Sequence, residues 1–128
     1  MSTALTPVVR VIEQAHVEAY ADASGDHNPV HVDPGFAAAS PFGGTIAHGM
    51  LVLAMIGELM HNAHGERWLA SGRLKVRFKA PTRPGDTVTA AGEESRRDGG
   101  VVEYGVRCTN QAGEVLIEGR ATVADGVA

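Results

Sequence analysis

The sequence predicts an α+β fold in which a curved antiparallel β-sheet wraps one long, buried helix. Three observations lead there. The run from Ile46 to His64 holds no proline, and Glu58 is its only acidic or basic residue between Met50 and Met60. From Arg73 onward, apolar and polar residues alternate in runs separated by glycine-containing turns. One short extended segment precedes the helical part. Strands grouped after a helix, rather than alternating with helices, favour α+β over a parallel sheet.

Each element has a local reason. Val8 to Ile12 reads as a short strand. Glu13 to Ala23 sets Ala15, Val17, Ala19 and Tyr20 among polar residues in a modest helical pattern. Ser24-Gly25-Asp26-His27-Asn28-Pro29 ends it, because Gly25 accepts the left-handed conformation and Pro29 disfavours helix at Asn28. Asp33-Pro34 is a capping residue followed by a helix-starting proline, so Pro34 to Ser40 is predicted as a short helix. Ser40 to Gly44 is a loop. Ile46 to His64 has few β-branched residues and reads as helix. A helix apolar nearly all round must be enclosed on most sides. Arg73 to Lys79 alternates with period two, the pattern of a half-buried strand. Pro81 to Gly85 breaks it. Asp86 to Arg97 and Val101 to Thr109 flank the hairpin turn Asp98-Gly99-Gly100. After a turn at Asn110 to Gly113, Val115 to Val123 completes what reads as an antiparallel meander.

Composition bounds the function. The 128 residues suit one domain spanning 1–128. The 44% hydrophobic and 20% charged fractions are those of a globular protein, not a disordered one. Aromatics make up 5%, so the core must be aliphatic. A net charge of −4 argues against a general nucleic-acid binder. The one cysteine, Cys108, allows no intrachain disulfide and sits in an alternating run as a small strand residue. Met1 to Pro7 lacks a basic stretch before an apolar run, and no apolar stretch approaches the ~20 residues of a spanning helix. The expectation is a cytoplasmic protein without a membrane partner.

Two segments carry chemistry. One runs from Ser24 to Pro34, the other from Thr45 to Met50. Asp26 and His31 lie five apart across a proline-stiffened turn, where they can meet at one point without a regular element. A carboxylate and an imidazole on one water form a general acid–base pair. Taken singly, Asp26 is also a common turn residue and His31 a plausible core histidine. Asp33 is explained as a cap. At the start of the long helix, unpaired N–H groups and the helix dipole can stabilise an oxyanion. Gly49 lets a carbonyl approach its N–H closely, or lets helix and sheet pack tightly. His48 orients substrate or loop, or is a satisfied buried histidine.

The stretch YADASGDHNPVHVDPGFA, Tyr20 to Ala37, resembles the signature of the MaoC-like (R)-specific enoyl-CoA hydratases. SPFGGTIAHGM, Ser40 to Met50, continues the resemblance. It implies the hotdog fold, hydration of trans-2-enoyl thioesters or the reverse dehydration, and a place in fatty acid metabolism. By the same resemblance Asp26 and His31 are the catalytic dyad, Asn28 braces their loop, and the Gly49 N–H binds the thioester oxygen, with His48 beside it. No cofactor is implied, the substrate being a coenzyme A or acyl-carrier-protein thioester, and the chain is expected to form a homodimer. Gly57 stands where some members carry a serine. The rival readings are a hotdog thioesterase, with Glu58 as its acidic residue, and a non-catalytic subunit of a hotdog assembly.

Residues 67–83 contain Arg67, Arg73, Lys75, Arg77, Lys79 and Arg83 and no acidic residue. This is a solvated strand face, or Arg73, Lys75, Arg77 and Lys79 contact the phosphates of the carrier. His27, His31, His48, His61 and His64 invite a metal reading. His61 and His64 lack a neighbouring carboxylate, and Asn28-Pro29 keeps His27 and His31 from a helical pair, so no metal is expected.

Overall fold

Period-two alternation decides which face of each strand meets the long helix. In the computed structural model, which describes residues 3–126, the ten elements are β1 (Val8–Ile12), α1 (Gln14–Ser24), α2 (Pro29–Val32), α3 (Pro34–Ala38), α4 (Gly49–His64), α5 (Glu66–Ser71), β2 (Arg73–Phe78), β3 (Asp86–Asp98), β4 (Val101–Thr109) and β5 (Val115–Ala124). Met1, Ser2, Val127 and Ala128, the ends of the expected 1–128 domain, lie outside the described residues. Along β4, Val102, Tyr104, Val106 and Cys108 point inward and are buried. On β5, Leu116, Ile117, Ala121 and Val123 join them. Against this surface α4 lays Val52, Met55, Ile56, Leu59 and Met60. Each large aliphatic side chain so buried contributes about 1.5–3 kcal/mol. Tyr104 is the one aromatic among the fully buried residues described, as the sparse aromatic content requires.

The sheet is antiparallel throughout, in the order β1-β3-β4-β5-β2. The expected four-strand meander holds only for β3-β4-β5. Strand β2 pairs with β5 at the far edge, with Arg73 opposite Thr122 and Phe78 opposite Ile117. The reason lies in Lys79 to Gly85. That connection is too long and too rich in proline for a hairpin, and it carries the chain to the other side, where β1 and β3 pair.

Two features of the helical part also differ from the sequence reading. Helix α4 begins at Gly49, not Ile46, because His48 is extended (φ −62°, ψ 136°). Ile46 and Ala47 bond instead to the carbonyls of Val30 (3.2 Å) and Thr82 (2.8 Å). The helix is enclosed on one flank only. Met50 is 58% exposed and Ala54 is exposed, so an apolar stripe faces outward. Helix α5 was not anticipated. Its six residues are too few to show a period, and it packs Trp68 against the core. None of the described helices is long and apolar enough to cross a membrane.

Burial gives Cys108 and His64 structural roles. The Cys108 thiol is pushed up to about 12 by burial, which leaves it protonated and unreactive. His64, in the last turn of α4, has its Nε2 2.9 Å from the Tyr104 hydroxyl. Burial, and then the nearby charges of Arg67 and Arg97, hold its pKa below the usual imidazole value. The unfolded chain therefore binds a proton at His64 more readily than the folded one. We predict that this site's contribution is complete above about pH 6.5 and is lost progressively as pH falls below it. Urea midpoints measured from neutral to mildly acidic pH should show that decline, and H64Q should flatten it.

Candidate active site

Short-range capping rules build the loop that carries Asp26 and His31. Helix α1 stops where Gly25 turns left-handed (φ 79°) and returns its N–H to the Ala21 carbonyl (2.9 Å). The Asp26 carboxylate then accepts the Asn28 N–H (3.2 Å). The Asn28 side chain accepts the Val30 N–H (3.2 Å), and Pro29 follows it as the first residue of α2. His31 therefore sits on a helical turn, contrary to the reading that neither residue lies on a regular element. Proline is tolerated at a first helical position, where its missing N–H has no partner to lose. Asp33 ends α2 and caps α3, accepting the Phe36 N–H (3.1 Å).

The histidine tautomers follow from their partners. A carbonyl oxygen only accepts, so His31 Nδ1, 2.8 Å from the Ile46 carbonyl, carries its hydrogen. In a neutral ring the lone pair then falls on Nε2. His48 is 2% exposed and donates from Nε2 to the Asp26 carbonyl (2.9 Å). The satisfied buried histidine is thus half right, because His48 Nδ1 has no partner among the described residues. The His31 and His48 rings stack with centroids 3.8 Å apart and planes 27° apart, and Tyr20 packs on His48 at 4.8 Å. Donor atoms of Asp26, His31 and His48 lie within 4.8 Å of one another. Imidazole lone pairs lie in the ring plane. Two rings stacked at this tilt do not converge on one ion at a bond length of about 2.0–2.1 Å. The cluster suits a hydrogen-bonded water better than a metal.

The start of α4 lies alongside. Its backbone bonds begin at Leu51, whose N–H reaches the His48 carbonyl (3.1 Å). The N–H groups of Gly49 and Met50 have no acceptor among the described residues. A cavity of about 350 Å³, lined by Phe42, Ile46, Gly49, Val52, Phe78 and Thr82 among others, opens there. A Cβ on Gly49 would lie 2.9 Å from the Phe78 ring, so only glycine leaves this approach clear. Gln14, which sequence reasoning missed, ties the parts together. Its amide nitrogen donates to the His31 carbonyl (2.9 Å), and its amide oxygen accepts from the Thr45 hydroxyl (2.9 Å). Nothing about a glutamine at a helix start signals this, since its partners lie 17 and 31 residues away.

The other candidates are dispersed. Lys75 pairs with Arg120 and Arg77 with Glu118, so Arg73, Lys75 and Arg77 line the outer sheet face, away from α4. Lys79, past the end of β2, borders the cavity and lies 3.6 Å from Glu118. His27 is engaged by Asp22 (2.9 Å), whose hydrogen bond raises the imidazole pKa. Glu58 is gripped by both terminal nitrogens of Arg10, which lower its pKa by hydrogen bonding. Gly57 faces open space.

Comparison with known proteins gives a consistent result. A family described as the MaoC like domain matches residues 2–114. The 3-hydroxyacyl-thioester dehydratase Z of Mycobacterium tuberculosis is 46% identical over 83 residues, which cover 62% of this chain and 55% of that relative. The chain thus spans about half the length of that relative. The (R)-specific enoyl-CoA hydratase of Aeromonas caviae is 35% identical over 115 residues, covering 85% of this chain and 83% of the relative. The solved (R)-hydratase from A. caviae involved in PHA biosynthesis superposes with a TM-score of 0.83 at 30% identity, covering 96% of this chain and 94% of that one. The fold is the hotdog fold.

The capping chain through Asn28 leads to a direct test. N28A should cost about 1 kcal/mol, the typical value of a lost helix cap. The loss should be concentrated locally, as faster amide exchange at Val30 and His31 than in α4.

Proposed function

The chain belongs to the MaoC-like domain family, and from that premise we propose that it is a hydro-lyase acting on acyl thioesters. It adds water to trans-2-enoyl thioesters to give (3R)-hydroxyacyl thioesters, or runs the reverse dehydration. The observation that carries this reading is a pair of groups beside a helix start. Atoms of Asp26 and His31 lie within 4.8 Å of each other, and His48, stacked on His31, directly precedes the open N–H groups of α4.

Each group has a step. The thioester carbonyl accepts the Gly49 N–H. Asp26 and His31 hold one water over the double bond. Because Nδ1 carries its hydrogen, neutral His31 can accept a proton only at Nε2. It takes one from the water as the hydroxyl bonds to C3. The C2=C3 electrons move toward the carbonyl, and the N–H groups stabilise the enolate-like charge. Protonated His31 then returns the proton to C2, which completes a net addition of water. Asp26 orients the water and stabilises the imidazolium. Asn28 and His48 hold this loop in register. Water and a proton shuttle suffice, so we assign no cofactor beyond the coenzyme A or acyl carrier protein on which the substrate rides.

The thioesterase reading loses support from the position of Glu58. Its carboxylate is gripped by Arg10 and is a weakened base. A non-catalytic subunit would have no use for the free lone pair of His31. We further propose a cytoplasmic homodimer of single-domain chains. The outward stripe of α4, with Met50, Ala54 and Gly57, supports a second copy as its cover.

D26N and H31Q should each lower hydration of trans-2-enoyl-CoA by roughly 10²–10⁴-fold. Loss of enoyl absorbance measures this, and chiral analysis of the product should give the (3R) alcohol. Light scattering should return twice the mass of one chain, and a mass equal to one chain overturns the dimer.

A further inference from the structure

Asp86, the first residue of β3, does more than open a strand. The turn before it, Arg83-Pro84-Gly85-Asp86, closes when the Asp86 N–H reaches the Arg83 carbonyl (2.9 Å). Gly85 takes φ 96° at the third position, as a type II turn requires. One backbone bond suffices for such a turn. Here the Asp86 carboxylate adds two more. It accepts the Arg83 N–H at one oxygen (2.9 Å) and the Gln111 amide at the other (3.0 Å). Gln111 is held in its place by the Thr87 N–H, which donates to its amide oxygen (2.9 Å).

The bond to Arg83 leads to the dyad. The Arg83 N–H and the Thr82 carbonyl are the two ends of one planar peptide group, and in a trans peptide they point in opposite directions. The Thr82 carbonyl accepts the Ala47 N–H (2.8 Å). The Ala47 N–H and the Ile46 carbonyl are the ends of a second such group, and that carbonyl accepts the His31 Nδ1–H (2.8 Å). Three hydrogen bonds and two peptide groups thus run head to tail from the Asp86 carboxylate to the imidazole. Thr82 and Ala47, in the middle, are 4% and 5% exposed, so water competes little there. Hydrogen bonds in series strengthen one another by about 10–30% each. A charged acceptor at the start of the series adds to this, because it draws every donated hydrogen the same way. A peptide group bonded at both ends is also fixed in rotation.

We propose that Asp86 is a positioning residue for His31, acting through this chain to hold the imidazole in one tautomer and one orientation. The inference rests on the hydratase reading and deepens it. His31 takes a proton at Nε2 only while Nδ1 donates to the Ile46 carbonyl, and Asp86 sets the aim and strength of that carbonyl. Asp86 touches neither substrate nor water in this role.

The test reads the His31 Nδ1 proton by NMR, its resonance identified by its absence in H31Q, together with kcat and KM for a trans-2-enoyl-CoA ester. In D86A the resonance should move upfield and exchange faster with water. Its kcat should fall about tenfold, within the roughly 10²-fold that a misplaced reacting group costs, while KM changes little. D86N keeps an oxygen for the Arg83 N–H but no charge. Its resonance should lie between those of the wild type and D86A, and it should recover most of the lost kcat, a neutral acceptor being roughly half as strong as a charged one. Q111A removes the outer tie and leaves the Arg83 bond, so both readouts should match the wild type. D86N carries the comparison if D86A does not fold. A His31 resonance that stays in place in D86A, or in D86N where D86A does not fold, overturns the proposal. So does a kcat loss in Q111A equal to that in D86A, which makes the bracket a fastener for the turn alone. A wild type that hydrates no ester overturns the hydratase reading, while the NMR comparison still decides whether Asp86 positions His31.

Discussion

Val52, Ile56, Leu59 and Met60 form a flank of α4 that can leave water only by lying against the sheet, and that burial fixes where the helix begins. The helix cannot start earlier. Ala47 is bonded to Thr82, and His48 is held extended with its imidazole on the Asp26 carbonyl. The first free N–H groups are thereby held beside Phe78 on one side and the Asp26–His31 loop on the other. Three segments distant in sequence meet at this point because the helix has a single burial solution. The site is a consequence of that packing, not an addition to it.

The loop that completes the site gains its order from many small bonds. Asn28 caps α2, Asp26 accepts from Asn28, Gln14 bridges His31 and Thr45, and His31 bonds Ile46. Each such bond contributes only about 1 kcal/mol net. Together they leave His31 one tautomer and one orientation, and orientation is where a positioned acid–base group gains most of its advantage. The side chains concerned are not sealed off. Asp26 is exposed and His31 half-buried, which suits a pair that must exchange water and protons. His48 behind them is buried and rigidly placed, and it links the loop to the helix.

What the sequence made legible were features decided by neighbours. Gly25, Asn28-Pro29, Asp33-Pro34 and Gly99-Gly100 each mark a stop, cap or turn that acts within four residues, and the structure has a boundary at each. The strand alternation likewise settled which residues face inward. The misses share a different character. The edge position of β2 depends on which strand leaves a free edge after β3, β4 and β5 have paired. The outward stripe of α4 is invisible to a count of apolar residues, because a helix that is apolar all round reads the same whether its own sheet or another surface covers it. The Gln14 bridge joins partners with no sequence relation. Local rules found the loop that carries the dyad, and only the fold could say what holds it.

The same helix performs unlike tasks on its different sides, and this explains its composition. One flank is core. An adjoining side carries Leu51 and Glu58 toward α1, where a groove remains. The side facing away from the sheet carries Met50, Ala54 and Gly57. A helix serving only the core would have polar residues on the two outer sides, as surface helices do. Here the apolar character persists around the helix from Met50 to Met60, and the one charged residue in that stretch, Glu58, is paired with an arginine from β1. A lone carboxylate at that position would have remained hydrated without help. Its pairing with Arg10 offsets that charge beside the groove. An ion pair this exposed adds little to stability.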